Sequence, residues 1–204
     1  MNRFLKNTNH KSKAIVLAIL AATFSTVLSA AIFTSCNSKK EIEVIHDSQI
    51  APQFYGNWEI KFLSESELYA NPGTKEELYQ GTVKFSSLTT ISFFEPQRYT
   101  MTLTSNLESQ ELIEESVFTK EDLEKQINQT ITIEGSFLCD QNYLELINEK
   151  ITAPDGNTYS AKEYSEIDPR IGGEKQIAKW SIQNNSLELV DTKSKATITY
   201  NKIK

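Results

Sequence analysis

The chain is poor in the residues that most enzyme chemistry needs. It holds two cysteines, Cys36 and Cys139, and two histidines, His10 and His46. That supply leaves no His-ligated zinc site and no triad resting on a His base. Its seven glycines form no phosphate-cradling loop. Asp155-Gly156-Asn157 is too short to supply the alternating oxygen ligands of a calcium loop. Carboxylates are plentiful, among them Glu65, Glu67, Glu108, Glu114, Glu115, Glu121 and Asp122, but nothing selects an acid–base pair from them. They read as a solvated acidic face. No catalytic residue, metal ligand or cofactor is expected, and the chain does not read as an enzyme.

Acidic residues are also absent from the first 40 positions, where Arg3, Lys6, Lys11 and Lys13 precede an uncharged run from Ala14 to Phe33. A basic stretch before an apolar one is the layout of a secretory signal, with the charges held on the cytoplasmic side. A buried helix of a soluble domain would normally show a polar face, which this run lacks. Its length is close to the roughly 20 apolar residues that cross a bilayer, so an uncleaved anchor over residues 14–33 is an alternative. Ser29-Ala30-Ala31 offers the small-x-small pattern of ordinary signal cleavage as another.

The residues that follow, Phe33-Thr34-Ser35-Cys36, resemble the lipobox of bacterial lipoproteins, in the looser form of Bacteroidetes and some spirochaetes. The resemblance implies that residues 1–35 are a lipoprotein signal peptide, that Cys36 is the lipid attachment site, and that the membrane is a partner through this N-terminal lipid. Each buried acyl CH₂ contributes about 0.8 kcal/mol, and more than one chain makes the attachment stable. Asn37, rather than Asp, follows the cysteine, which leans towards an outer membrane, on its periplasmic or surface face. Ser38-Lys39-Lys40-Glu41 faintly resembles a short charged surface-export signal, but the favoured reading is part of a polar tether spanning residues 36–51.

Once Cys36 carries lipid, Cys139 is a lone thiol. It stands in the apolar stretch 135–139 and is expected in the core, where a free cysteine acts as a small hydrophobe. Residues 36–204 hold 17 basic against 27 acidic side chains, net −10. Such a charge repels phosphates, so no nucleic acid is expected as a partner.

Residues 52–204 suit one domain, and the pattern is mainly β. Trp58, Ile60 and Phe62 alternate with polar residues, as do Tyr99, Met101 and Leu103, Ile131 and Ile133, Leu187 and Leu189, and Ile198 and Tyr200. Val83 with Phe85, and Ile91 with Phe93, form further pairs, and Asn184-Asn185 marks a turn. Antiparallel strands of this kind close into barrels or pack as sandwiches. Thr74–Glu77 and Thr119–Asp122 place a capping hydroxyl three residues before a carboxylate, predicting two short helix starts. The least regular stretch, 151–178, is expected to be a long loop or hairpin excursion around Pro154-Asp155-Gly156.

Phe54-Tyr55-Gly56-Asn57-Trp58 resembles the Gly-x-Trp opening of lipocalins and lipocalin-like bacterial lipoproteins. Residues 179–191 with 196–200 resemble the closing hairpin of that group, and residues 135–137 with 143–146 a middle hairpin. Lipocalins tend to set an Arg of the final strand against the Trp, and here that strand offers Lys202. The resemblance implies a small lipocalin-like barrel, but fold alone carries no function. Two function classes follow. One is an envelope protein with a structural or protein-interaction role, its interior filled by Phe62, Phe85, Phe93, Met101, Phe137 and Trp180. The other is a binding module carrying a small apolar ligand, in which Tyr55, Tyr69, Tyr79, Tyr159 and Tyr164 would line a mouth.

Overall fold

A computed structural model describes residues 42–70, 78–168, 171, 173–192 and 194–203. Cys36, the apolar run 14–33 and the expected helix start at 74–77 lie outside the described residues. A 3-10 turn, Ala51–Gln53, leads into nine strands: β1 (Gly56–Ala70), β2 (Leu78–Phe94), β3 (Arg98–Leu112), β4 (Gln129–Cys139), β5 (Tyr143–Thr152), β6 (Thr158–Ser160), β7 (Lys175–Gln183), β8 (Ser186–Asp191) and β9 (Thr197–Ile203). Helix α1 (Lys120–Ile127) joins β3 to β4, and α2 (Ala161–Ile167) follows β6. The sheet order is β4-β3-β2-β1-β9-β8-β7-β5-β6, and β4 also pairs with β5. That pairing closes eight antiparallel strands into a barrel and leaves β6 as an extra strand on the far end of β5. The expected mainly β fold is therefore observed. Among the described residues no helix is long and apolar enough to cross a membrane.

The chain divides into two compact units, to both of which β1, β2 and β3 contribute residues. The larger holds, among the described residues, those within 42–61, 88–104 and 130–203. Its inner face follows the strand period of two: Ile131, Ile133, Phe137 and Cys139 on β4, Leu144 and Leu146 on β5, Leu187 and Leu189 on β8, and Ile198 and Tyr200 on β9 are all buried. Its tight turns gather at one end. They are residues 95–97 between β2 and β3, 140–142 between β4 and β5, and the pair Asn184-Asn185 between β7 and β8. Asn184 and Asn185 have φ of 51° and 64°, the left-handed pair that a two-residue hairpin turn requires.

The smaller unit holds residues 62–87 and 105–129 among those described. Leu68, Val83, Phe85, Phe118, Leu123 and Ile127 form its core, with Leu107 and Leu112 packed against them. Helix α1 starts at Thr119, whose hydroxyl accepts from the Asp122 N–H at 3.1 Å, the start expected from the sequence. It ends where the Asn128 side chain accepts from the Leu107 N–H at 2.6 Å.

One expectation is corrected and one is made more specific. The tether placed at residues 36–51 does not extend to Ala51: Val44 and Ala51 are buried, and the Asp47 N–H donates to the Cys139 carbonyl at 2.7 Å. An apolar residue every few positions lets this polar stretch pack as a strap. Of the two forms expected for 151–178, a long loop or a hairpin excursion, the hairpin is observed, and a helix that the sequence did not announce follows it. Ser160 and Glu163 form a reciprocal capping box that starts α2.

Candidate functional site

The most distinctive built region is the strap end of the larger unit. Phe54, fully buried, leaves the 3-10 turn and enters an aromatic cluster. Its ring lies 5.6 Å from Phe93, 6.0 Å from Phe137 and 4.8 Å from Trp180. Phe93 and Phe137 meet edge to face at 5.0 Å, and Tyr55 covers Phe137 from 6.4 Å. Such tilted contacts add to the burial of area itself. The Trp180 indole N–H donates to the Asp140 carbonyl at 2.9 Å, tying the cluster to the β4–β5 turn.

The Gly56-Asn57-Trp58 motif folds over this cluster. The Trp58 indole N–H donates to the Phe54 carbonyl at 2.7 Å. Gly56 has φ of +119°, which lets the chain turn from the strap into β1. Trp58 pairs with Lys202 across β1 and β9, and the Lys202 ammonium stands 4.9 Å from the centre of its ring, a cation–π contact. The position that the sequence offered in place of an Arg is thus the one stacked on the tryptophan.

A polar layer lies deeper in the same unit. β5 bulges opposite Glu134 and Gly135. The bulge buries Asn148 while Glu149 pairs at the surface with Arg98, whose Nη1 lies 2.8 Å from both carboxylate oxygens. Asn148 accepts from the Tyr99 hydroxyl and donates to the Gly173 carbonyl at 2.9 Å. Burial holds the Tyr99 phenol well above its ordinary range, and the Arg98 hydrogen bond holds Glu149 below the usual carboxylate value. Gln176, on the inner side of β7 opposite Leu146, is buried with no partner for its side-chain amide among the described residues.

Cys139 is fully buried, as expected of a core thiol. Burial, then the nearby Asp47 and Asp140 carboxylates, push it up to about 11. The acidic residues of the smaller unit are dispersed. Glu65 pairs with Lys84 at 3.3 Å, Glu108 accepts from Ser86, and Glu114 and Glu115 are exposed. No cluster of metal-ligating side chains occurs among the described residues. The tyrosines pack in pairs, Tyr69 with Tyr79 and Tyr159 with Tyr164, both at 5.7 Å. Of the large side chains expected inside, Phe85, Phe93, Met101 and Phe137 are buried, whereas Phe62 and Trp180 are half-buried.

Fold and site together define a class, a small closed antiparallel barrel whose N-terminal strap plugs one end with aromatic rings. The sequence matches no family model and no curated protein.

Proposed function

We propose that the chain is a lipid-anchored envelope lipoprotein with a lipocalin-like domain, held through Cys36 and serving a structural or protein-interaction role without catalysis. The observation that carries this reading is the aromatic cluster of Phe54, Phe93, Phe137 and Trp180, which fills the strap end with side chains where a carrier of apolar ligands would keep space. The lipobox-like Phe33–Cys36 supports the anchor, and the outer membrane is its proposed site. Intact mass of the protein extracted from host membranes tests it. Loss of residues 1–35 with added acyl mass, abolished in Cys36→Ala, is the expected result. A full-length, unmodified mass would instead favour an uncleaved anchor over residues 14–33.

A second reading rests on Gln176. A buried amide without a partner is costly, and the polar group of an otherwise apolar ligand would satisfy it. Native mass spectrometry of the protein released from membranes separates the two. A bare barrel supports the interaction role, and a retained small molecule lost in Gln176→Leu supports the carrier.

A further inference from the structure

In the larger unit, four large apolar side chains are exposed among the described residues: Ile45 (74%), Phe94 (45%), Ile167 (61%) and Ile203 (38%). Three of them ring the strap end. Ile45 precedes Asp47, which is bonded to Cys139 beside the β4–β5 turn. Phe94 ends β2 at the 95–97 turn. Ile203 ends β9 opposite Asn57, whose side chain in turn accepts from Ser92 of β2 at 2.7 Å.

The same end is the one the N-terminus leaves from. Only seven residues separate Cys36 from the buried Val44. Whatever its conformation, a link of that length reaches no further than about 28 Å. A ten-residue strand such as β5, tilted in a barrel, rises roughly 25 Å. Turning the opposite end of the unit to the membrane would therefore require the tether almost fully extended along the barrel wall. The strap end faces the bilayer with slack to spare.

We infer that this end is a membrane-contact surface. Ile45, Phe94 and Ile203 rest in the headgroup region of a zwitterionic phospholipid surface and orient the barrel on it. Glu43 and Asp47 flank Ile45, Glu95 follows Phe94 and Asp140 opens the β4–β5 turn, against Lys202 beside Ile203, so the balance at this end is acidic, anionic headgroups are disfavoured and the contact is apolar. The inference rests on the proposed anchoring, but only in that the anchor lies N-terminal to the strap. The constraint is tightest for a lipid on Cys36; an uncleaved run ending at Phe33 leaves ten residues before Val44, about 38 Å at full stretch, and leaves the strap end as the nearer face.

The test uses the full chain produced in its host, extracted and reconstituted in phosphatidylethanolamine–phosphatidylcholine vesicles with brominated acyl chains. Tryptophan is introduced as Phe94→Trp, Ile203→Trp or Ile167→Trp, above the background of Trp58 and Trp180. Emission added at positions 94 and 203 is expected to fall about twofold on bromination, and that at 167 by less than about a tenth. Equal quenching at all three positions, greater quenching at 167, or none at any would overturn the inference. Recovery of the chain in the soluble fraction would overturn it together with the anchoring. Intact mass separates the remaining cases. An acylated chain without quenching at 94 and 203 defeats the contact surface and leaves the lipoprotein standing. An unacylated, membrane-held chain with that quenching does the reverse.

Discussion

Gly135 stands where two backbones and a ring converge. A Cβ there would lie 2.0 Å from the Ile147 carbonyl oxygen and 2.9 Å from the Tyr99 ring. The bulge that buries Asn148 therefore depends on a missing side chain, and the obstructing atom is backbone that cannot swing aside. Gly135→Ala is expected to cost about 3 kcal/mol or more in urea unfolding. At Gly56 the nearest obstruction is the flexible end of Lys202, at 3.1 Å, and the cost lies in the positive φ. Gly56→Ala should lose about 1–3 kcal/mol. Lys202 itself is exposed at the end of β9, so its contact with Trp58 is worth about 0.5–1 kcal/mol. Lys202→Met should lose that amount in the same assay and Lys202→Arg should retain it. Equal losses in both would mean that the charge over the ring contributes nothing.

At the scale of elements, capping chemistry and core burial make separable contributions. The Ser160 hydroxyl accepts from the Glu163 N–H, while the Glu163 carboxylate accepts from the Ser160 N–H and from the Ser160 hydroxyl, both at 2.8 Å, and the last two bonds hold that carboxylate below its usual range. Ser160→Ala should cost about 1 kcal/mol. Leu123, fully buried in the core under α1, should cost about 2–5 kcal/mol as Leu123→Ala. A smaller loss would show that α1 is only loosely seated. The two helices also show what the sequence reveals. Thr119 with Asp122 stands before an apolar residue at 123 and is legible, whereas the box at Ser160 is hidden in a stretch broken by proline and glycine. β2 shows the same limit. Its pairs Val83–Phe85 and Ile91–Phe93 read as separate, yet they belong to one 17-residue strand. The inner positions between them are Ser87 and Thr89, small polar residues that interrupt the hydrophobic period while the backbone continues. The strap was hidden likewise, because Val44, Ala51 and Phe54 follow neither a helical nor a strand period. Asn148 and Gln176 could not be placed inside from sequence, since their burial follows from the bulge in β5 and the register of β7.

For the whole molecule, the titrating groups define a window of stability. Glu149 is held below its ordinary value in the fold, so its contribution is present above about pH 4.3 and is lost as the pH falls through the depressed folded value. Glu163 acts in the same direction. Cys139 works at the other limit. Its thiol titrates near 8.5 in an unfolded chain and at about 11 when folded. Between those values the native state keeps a proton that the unfolded state has lost, so stability falls as the pH rises. Tyr99 and Tyr200, both raised by burial, extend the same decline above pH 10. The urea midpoint is therefore expected to be nearly flat from about pH 5 to 8.5 and to fall on both sides. Cys139→Ala should flatten the alkaline side between about pH 8.5 and 10, where the tyrosines do not yet contribute, and leave the acid side unchanged. The wild-type thiol should resist alkylation at pH 8 until urea opens the barrel, since thiolate is both scarce and enclosed. Rapid labelling of the folded protein at Cys139 would mean that the strap across Asp47 opens readily, and the closed end would then be a gate instead of a plug.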